Sequence, residues 1–139
     1  GHEFKLIDGV LELIQHYKKN EISLVLASSA SMQNINMIFD KFNLNQYFKA
    51  KISGADLKAS KPHPEIFEMA AKLTGQSKRE CLVIEDATNG IIAAKSAGIF
   101  CVAFDGGNSK NQDYSKADMV INEFETIYLE KLKSIKFPS

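Results

Sequence analysis

Three short segments carry residue types that could act together on an anion. The first is Ser28-Ser29, which closes the apolar run Ile22-Ser23-Leu24-Val25-Leu26-Ala27. A hydroxyl and free backbone N–H groups at a strand end, just ahead of a helix, suit phosphate. The same residues also suit a plain tight turn. The second is Lys58-Ala59-Ser60-Lys61-Pro62-His63-Pro64. Pro62 stiffens the chain and keeps Lys61 out of helical geometry. Its ammonium can then serve as a fixed charge on a phosphate; a solvated loop lysine is the alternative. The third is Glu85-Asp86-Ala87-Thr88-Asn89-Gly90, which follows the apolar run Cys81-Leu82-Val83-Ile84. Adjacent carboxylates repel unless a cation offsets them. Hard oxygen donors of this kind suit Mg²⁺, which keeps some waters and shares phosphate oxygens. Asp86 as an ordinary helix N-cap, with Glu85 solvated, is the competing reading.

Other chemistries find less support. His2, His16 and His63 have no cysteine, histidine or carboxylate partners at ligand spacing, so a zinc site is not expected. Cys81 and Cys101 both fall in apolar runs. Two neighbouring buried strands with reduced thiols fit better than a disulfide, and with no secretory segment in view a cytoplasmic location is expected. The 17 basic residues cancel the 17 acidic ones, which removes the usual electrostatic reason to expect nucleic acid as a partner. No apolar run approaches the roughly 20 residues that span a bilayer, so no membrane partner is expected.

The elements that must position these residues alternate in period. The chain has 139 residues, 45% apolar and 24% charged, enough for one folded domain with its own core. Val10, Leu13, Ile14 and Tyr17 form a helical stripe closed by Asn20. The Ile22–Ala27 run is too short for a core helix and reads as a strand buried on both faces. Ile35, Ile38, Phe39 and Phe42 give a second helix, capped near Ser31. Lys51–Gly54 reads as a short strand. Ile66, Met69, Ala70 and Leu73 give a third helix, opened by Pro64 and ended near Gly75. Cys81–Ile84 is a clear strand, Thr88–Ala97 a helix, Phe100–Phe104 a strand, Asp118–Ile121 a last short strand and Glu123–Lys133 a last helix. Strands alternating with helices imply βαβ units, hence a Rossmann-like, doubly wound α/β fold with a mostly parallel sheet. Such folds place ligands beyond the C-terminal ends of the strands, where all three segments stand.

Taken in order, these segments resemble the haloacid dehalogenase-like (HAD) superfamily, and within it the beta-phosphoglucomutase-like and phosphatase branch. Leu26-Ala27-Ser28-Ser29 matches its second motif, Ser60-Lys61-Pro62-His63-Pro64-Glu65-Ile66-Phe67 its third, and Ile84-Glu85-Asp86-Ala87-Thr88-Asn89-Gly90-Ile91 its fourth. Ala94-Lys95-Ser96-Ala97-Gly98 resembles the helix that follows. The resemblance implies that Ser28 and the Ser29 N–H hold a transferring phosphoryl group. It implies that Lys61 neutralises that group, that Asp86 and Glu85 hold or support Mg²⁺, and that Asn89 supports the same loop. The implied reaction is phosphoryl transfer through an aspartyl-phosphate, as a phosphatase or phosphomutase on a small phosphorylated metabolite, a sugar phosphate first among them.

One departure matters. The family opens with an Asp-x-Asp strand that supplies nucleophile and general acid/base, and this sequence has no Asp-x-Asp. Asp8-Gly9 matches it only superficially. The expectation is therefore the C-terminal portion of a HAD-like core, residues 1–139, lacking the central first strand and the helical cap, and inactive alone. In the family that strand lies between the strands ending at Ser28 and Glu85. The orphan strands are expected to pair directly or to be repaired by another molecule, as in a strand-swapped dimer. The rival reading is a non-catalytic, receiver-like α/β module whose paired acids bind Mg²⁺.

Overall fold

The computed structural model describes residues 6–107 and 110–133. Helices and strands alternate as the two periods require. α1 spans Val10–Lys19, β1 Val25–Ser28, α2 Met32–Lys41, β2 Ala50–Ser53 and α3 Glu65–Thr74. β3 spans Leu82–Glu85, α4 Thr88–Ser96, β4 Phe100–Phe104, β5 Met119–Ile121 and α5 Leu129–Leu132. Local chemistry sets the boundaries. The Ser31 hydroxyl oxygen accepts from the Asn34 N–H at 3.2 Å and caps α2. Pro64 precedes α3, and Gly75 ends it in the left-handed region at φ 79°.

β1 and β2 pair in parallel, from Val25 opposite Ala50 to Ser28 opposite Ser53. β3, β4 and β5 form a second parallel sheet, with Glu85 opposite Ala103 and Phe104 opposite Ile121. One buried cluster spans both sheets. Ile66, Phe67 and Ala71 of α3 and Ile91, Ala93 and Ala94 of α4 meet Ile52, Val83, Cys101 and Ala103 there. The opposite faces carry separate clusters. Leu13 and Tyr17 of α1 pack with Val102, Phe104 and Ile121. Ile35 and Phe39 of α2 pack with Leu44, against Leu26. Helices thus flank both faces, as the doubly wound reading expects.

Direct closure of β1 onto β3 does not occur. Among the described residues the two strands share no ladder and lie in different sheets. The expectation assumed that their facing edges would be buried. In fact Val25 to Ser28 of β1 are all only half-buried, as is β3 apart from its buried Val83, whereas Cys101 to Phe104 of β4 are buried. Backbone groups within reach of water do not carry the full penalty of an unpaired buried group. Packing also holds the sheets apart, since α3 sits on β1 and β2 and against α4, which covers β3 and β4.

β2, β3 and β5 fall within one residue of their expected bounds, and larger differences occur at β1 and the last helix. β1 begins at Val25 rather than Ile22, because the Ile22 N–H donates to the Tyr17 C=O at 2.9 Å and finishes the turn that leaves α1. The last helix is interrupted. Phe124–Ile127 is a 3₁₀ turn, and Tyr128 is extended at φ −64° and ψ 150° before α5. α1 supplies the partners that a continuous helix would have supplied itself. The Tyr17 hydroxyl donates to the Ile127 C=O at 2.6 Å, and His16 Nε2 accepts from the Leu129 N–H at 3.2 Å. Burial raises the Tyr17 pKa above the ordinary tyrosine value.

Candidate functional site

Lys61 sits at a cis peptide bond to Pro62, between β2 and α3. Its Nζ donates to Glu85 Oε2 at 2.8 Å and to the Ala27 C=O at 3.4 Å. It also stands 5.0 Å from the centre of the Phe67 ring. The side chains of Lys61 and Glu85 are each 12% exposed. This is not a solvated loop lysine. It joins the C-terminal end of β1 to that of β3, and in a largely dry setting its charge acts more strongly than at a surface.

Ser28 is half-buried beside it, one residue beyond Ala27. Its Oγ accepts from the Ala30 N–H at 3.1 Å, so the turn reading of Ser28 holds. The hydroxyl proton is not used by that bond. Ser29 is exposed at the same turn. A residue that sequence reasoning missed supports it from β2. Ser53 is 2% exposed, and its Oγ donates to the Ala30 C=O at 2.6 Å. Gly54 follows, and a Cβ there would lie 3.3 Å from the Ser28 carbonyl oxygen and from Ser29 Cα. The available signal was that Ser53, like Ser28, stands at the end of a short strand segment.

Glu85 turns back over the first turn of α4. A Cβ built on Gly90 would overlap its carboxylate, so this helix position must be bare. A negative charge there is favoured by the helix N-terminus. Asp86 is exposed and is not the N-cap. That place belongs to Ala87, whose side chain can make no cap bond, so the capping explanation for Asp86 falls. The N–H and hydroxyl of Thr88 instead donate to Gln112 Oε1 at 2.6 and 2.9 Å. Asn89 is exposed on the same turn.

Among the described residues no group of three or more His, Cys, Asp or Glu side chains is placed to hold a metal ion. Glu85 and Asp86 together offer a set of two carboxylates. That suffices for Mg²⁺, which is usually bound by one or two carboxylates with water and substrate phosphate completing the shell. Exposed Asp86 is the accessible donor, and Glu85 is held by Lys61.

Asp8 lies elsewhere. It lines an open cavity of 520 Å³ with Ile7, Phe104, Asp105, Gly106, Gly107, Asn122 and Glu123, at the ends of β4 and β5. Cys81 and Cys101 are both free thiols. Cys101 is fully buried, and burial, then the charges of Glu85 and Asp118, push its pKa up to about 12.

Residues 1–104 match the family model of haloacid dehalogenase-like hydrolases. The chain belongs to the haloacid dehalogenase-like hydrolase family. Within this family it is 35% identical over 127 residues to a beta-phosphoglucomutase of Bacillus subtilis, covering 91% of this chain and 54% of that protein. It is 34% identical over 130 residues to a bifunctional riboflavin kinase/FMN phosphatase of Arabidopsis thaliana, covering 93% of this chain and 34% of the relative. The chain therefore spans about half, or less, of these HAD relatives. Among solved HAD structures, CbbY from Rhodobacter sphaeroides in complex with phosphate superposes with a TM-score of 0.82 at 26% identity, over 91% of this chain and 58% of that one. Beta-phosphoglucomutase from Clostridium difficile gives 0.78 at 30% identity, over 92% and 55%. The fold is the Rossmann-like HAD core.

Proposed function

We propose that this chain carries the phosphoryl and Mg²⁺ half of a HAD-type phosphatase or phosphomutase acting on a small phosphorylated metabolite, such as a sugar phosphate. The observation that carries the reading is the Lys61 ammonium, held between the Ala27 C=O and Glu85 next to Ser28. The Ser28 hydroxyl and Ser29 N–H donate to phosphoryl oxygens, and Lys61 balances their charge. Phosphoryl transfer spreads charge over those oxygens, so catalysis is largely positioning and electrostatics. Asp86, supported by Glu85, would hold Mg²⁺, which when bound neutralises phosphate charge. Asn89 steadies the same turn. Transfer in the parent enzyme runs through an aspartyl-phosphate. The chain has no Asp-x-Asp to supply that nucleophile, and on this reading it turns over no substrate by itself. A reducing, cytoplasmic setting suits its two free thiols.

The test is calorimetric titration with inorganic phosphate in the presence of Mg²⁺, alongside an aryl phosphate assay. Binding should weaken about tenfold or more in Lys61→Ala and in Asp86→Asn, with no turnover by the wild type. Binding that ignores both substitutions would refute the site. Turnover that Asp86→Ala abolishes would refute the inactivity and make Asp8 the first suspect as nucleophile.

A further inference from the structure

We infer that Gln112 and Tyr114 are positioning residues for the Asp86 turn and set how well that turn takes a divalent cation. The inference rests on the reading of Glu85 and Asp86 as the Mg²⁺ pair.

α4 starts without a local cap. Ala87 occupies the N-cap in extended conformation, φ −126° and ψ 147°, with no side-chain oxygen to offer. Alanine is among the poorest N-caps, because the first-turn N–H groups then lack a partner. The missing acceptor comes from a residue 24 positions away. Gln112 Oε1 accepts from the Thr88 N–H at 2.6 Å and from the Thr88 hydroxyl at 2.9 Å. A backbone N–H can only donate, so the amide oxygen, not its nitrogen, faces Thr88. Having given its proton to Gln112, Thr88 Oγ1 accepts from the Asp113 N–H at 2.7 Å. The Tyr114 hydroxyl donates to the Asp86 C=O at 3.1 Å.

Residues 112–114 therefore grip Asp86 and Thr88, on either side of the N-cap. The grip has a fixed base, since the half-buried Tyr114 ring packs against the α3–α4 core cluster. It orients the backbone of Asp86 while leaving the carboxylate exposed. A turn held in place before an ion arrives loses less freedom on binding, which raises affinity without adding a ligand. Outer partners of this kind commonly govern metal affinity. The Gln112 oxygen thereby occupies the first N–H of α4.

The experiment uses the full chain and the variants Gln112→Ala, Gln112→Glu and Tyr114→Phe. It reads amide hydrogen exchange at Thr88 and Asp113, and Mg²⁺ titration followed by amide shifts from Asp86 to Asn89. In Gln112→Ala, exchange at Thr88 should quicken and the Mg²⁺ Kd should rise about tenfold, with Cys101 and Val102 protection unchanged. Gln112→Glu keeps an acceptor oxygen and should restore both. Tyr114→Phe should shift the Kd in the same direction by less. A wild-type Mg²⁺ response that Gln112→Ala leaves unchanged, or a Gln112→Glu protein no better than the alanine variant, overturns the inference alone. No Mg²⁺ response in any protein, wild type included, discards the metal site and the inference with it.

Discussion

Lys61 and Glu85 bind one another at 2.8 Å across the boundary between two sheets that share no ladder among the described residues. The pair is a junction as well as a candidate site. β1 contributes through the Ala27 C=O, β3 through Glu85 itself, and α3 through the Phe67 ring beneath the ammonium. Removing one partner strands a charge in a largely dry place. Lys61→Ala and Glu85→Gln should each lose about 3 kcal/mol by urea unfolding. The double variant Lys61→Met, Glu85→Gln should lose clearly less than the sum. A single-variant loss below about 1 kcal/mol would mean that the pair behaves as an exposed one.

Gly90→Ala tests the fold of Glu85 over α4. Alanine is normally the better helix residue by roughly 1 kcal/mol. Here its methyl group would occupy the place of the Glu85 carboxylate. The substitution should destabilise by about 1–3 kcal/mol instead, as overpacking does. Combining it with Glu85→Ala should recover part of that loss relative to Glu85→Ala alone, which a thermal or urea comparison of the variants will show.

Ser53→Ala removes the hydroxyl that donates to the Ala30 C=O at 2.6 Å from a 2% exposed position. The carbonyl left without that donor should cost about 1–3 kcal/mol. Amide exchange at Ala30, whose N–H is held by Ser28 Oγ, should quicken with it. Unchanged exchange there would show that the Ser28 turn stands without β2.

Alkaline pH should destabilise the protein through Cys101. Its thiol ordinarily ionises at 9.0 but is pushed up to about 12 in the fold. Between those values the unfolded chain has lost this proton and the folded chain keeps it. Stability is therefore intact below the unfolded value and falls as pH rises towards the folded one, at up to about 1.4 kcal/mol per unit. Tyr17 adds a loss of the same sign above its ordinary value of 10.0. Urea unfolding across this range should show a shallower fall in Cys101→Ala than in the wild type.

The parts that sequence reasoning reached are those fixed by local pattern. β4 runs from Phe100 to Phe104, as its unbroken apolar run implies. Ser28 and Glu85 end their strands because the apolar runs stop there, and the doubly wound order follows from the alternation of periods. The parts it missed depend on distant partners. Capping is normally a local matter, so Asp86 was a reasonable N-cap candidate. Nothing in the sequence pairs Thr88 with Gln112, 24 residues on. The break at Tyr128 is set by Tyr17 and His16, more than a hundred residues earlier. The separation of β1 from β3 turned on how far water reaches the edge of β1, which apolar runs do not reveal.

The most direct test of the candidate site is an amide-shift map of inorganic phosphate binding with Mg²⁺ present, in the wild type and in Lys61→Ala. The account predicts shifts at Ser28, Ser29, Lys61 and Asp86, lost or much reduced in Lys61→Ala. Shifts centred on Phe104, Asp105 and Gly107 around the 520 Å³ cavity, or a map that Lys61→Ala leaves unchanged, would contradict it.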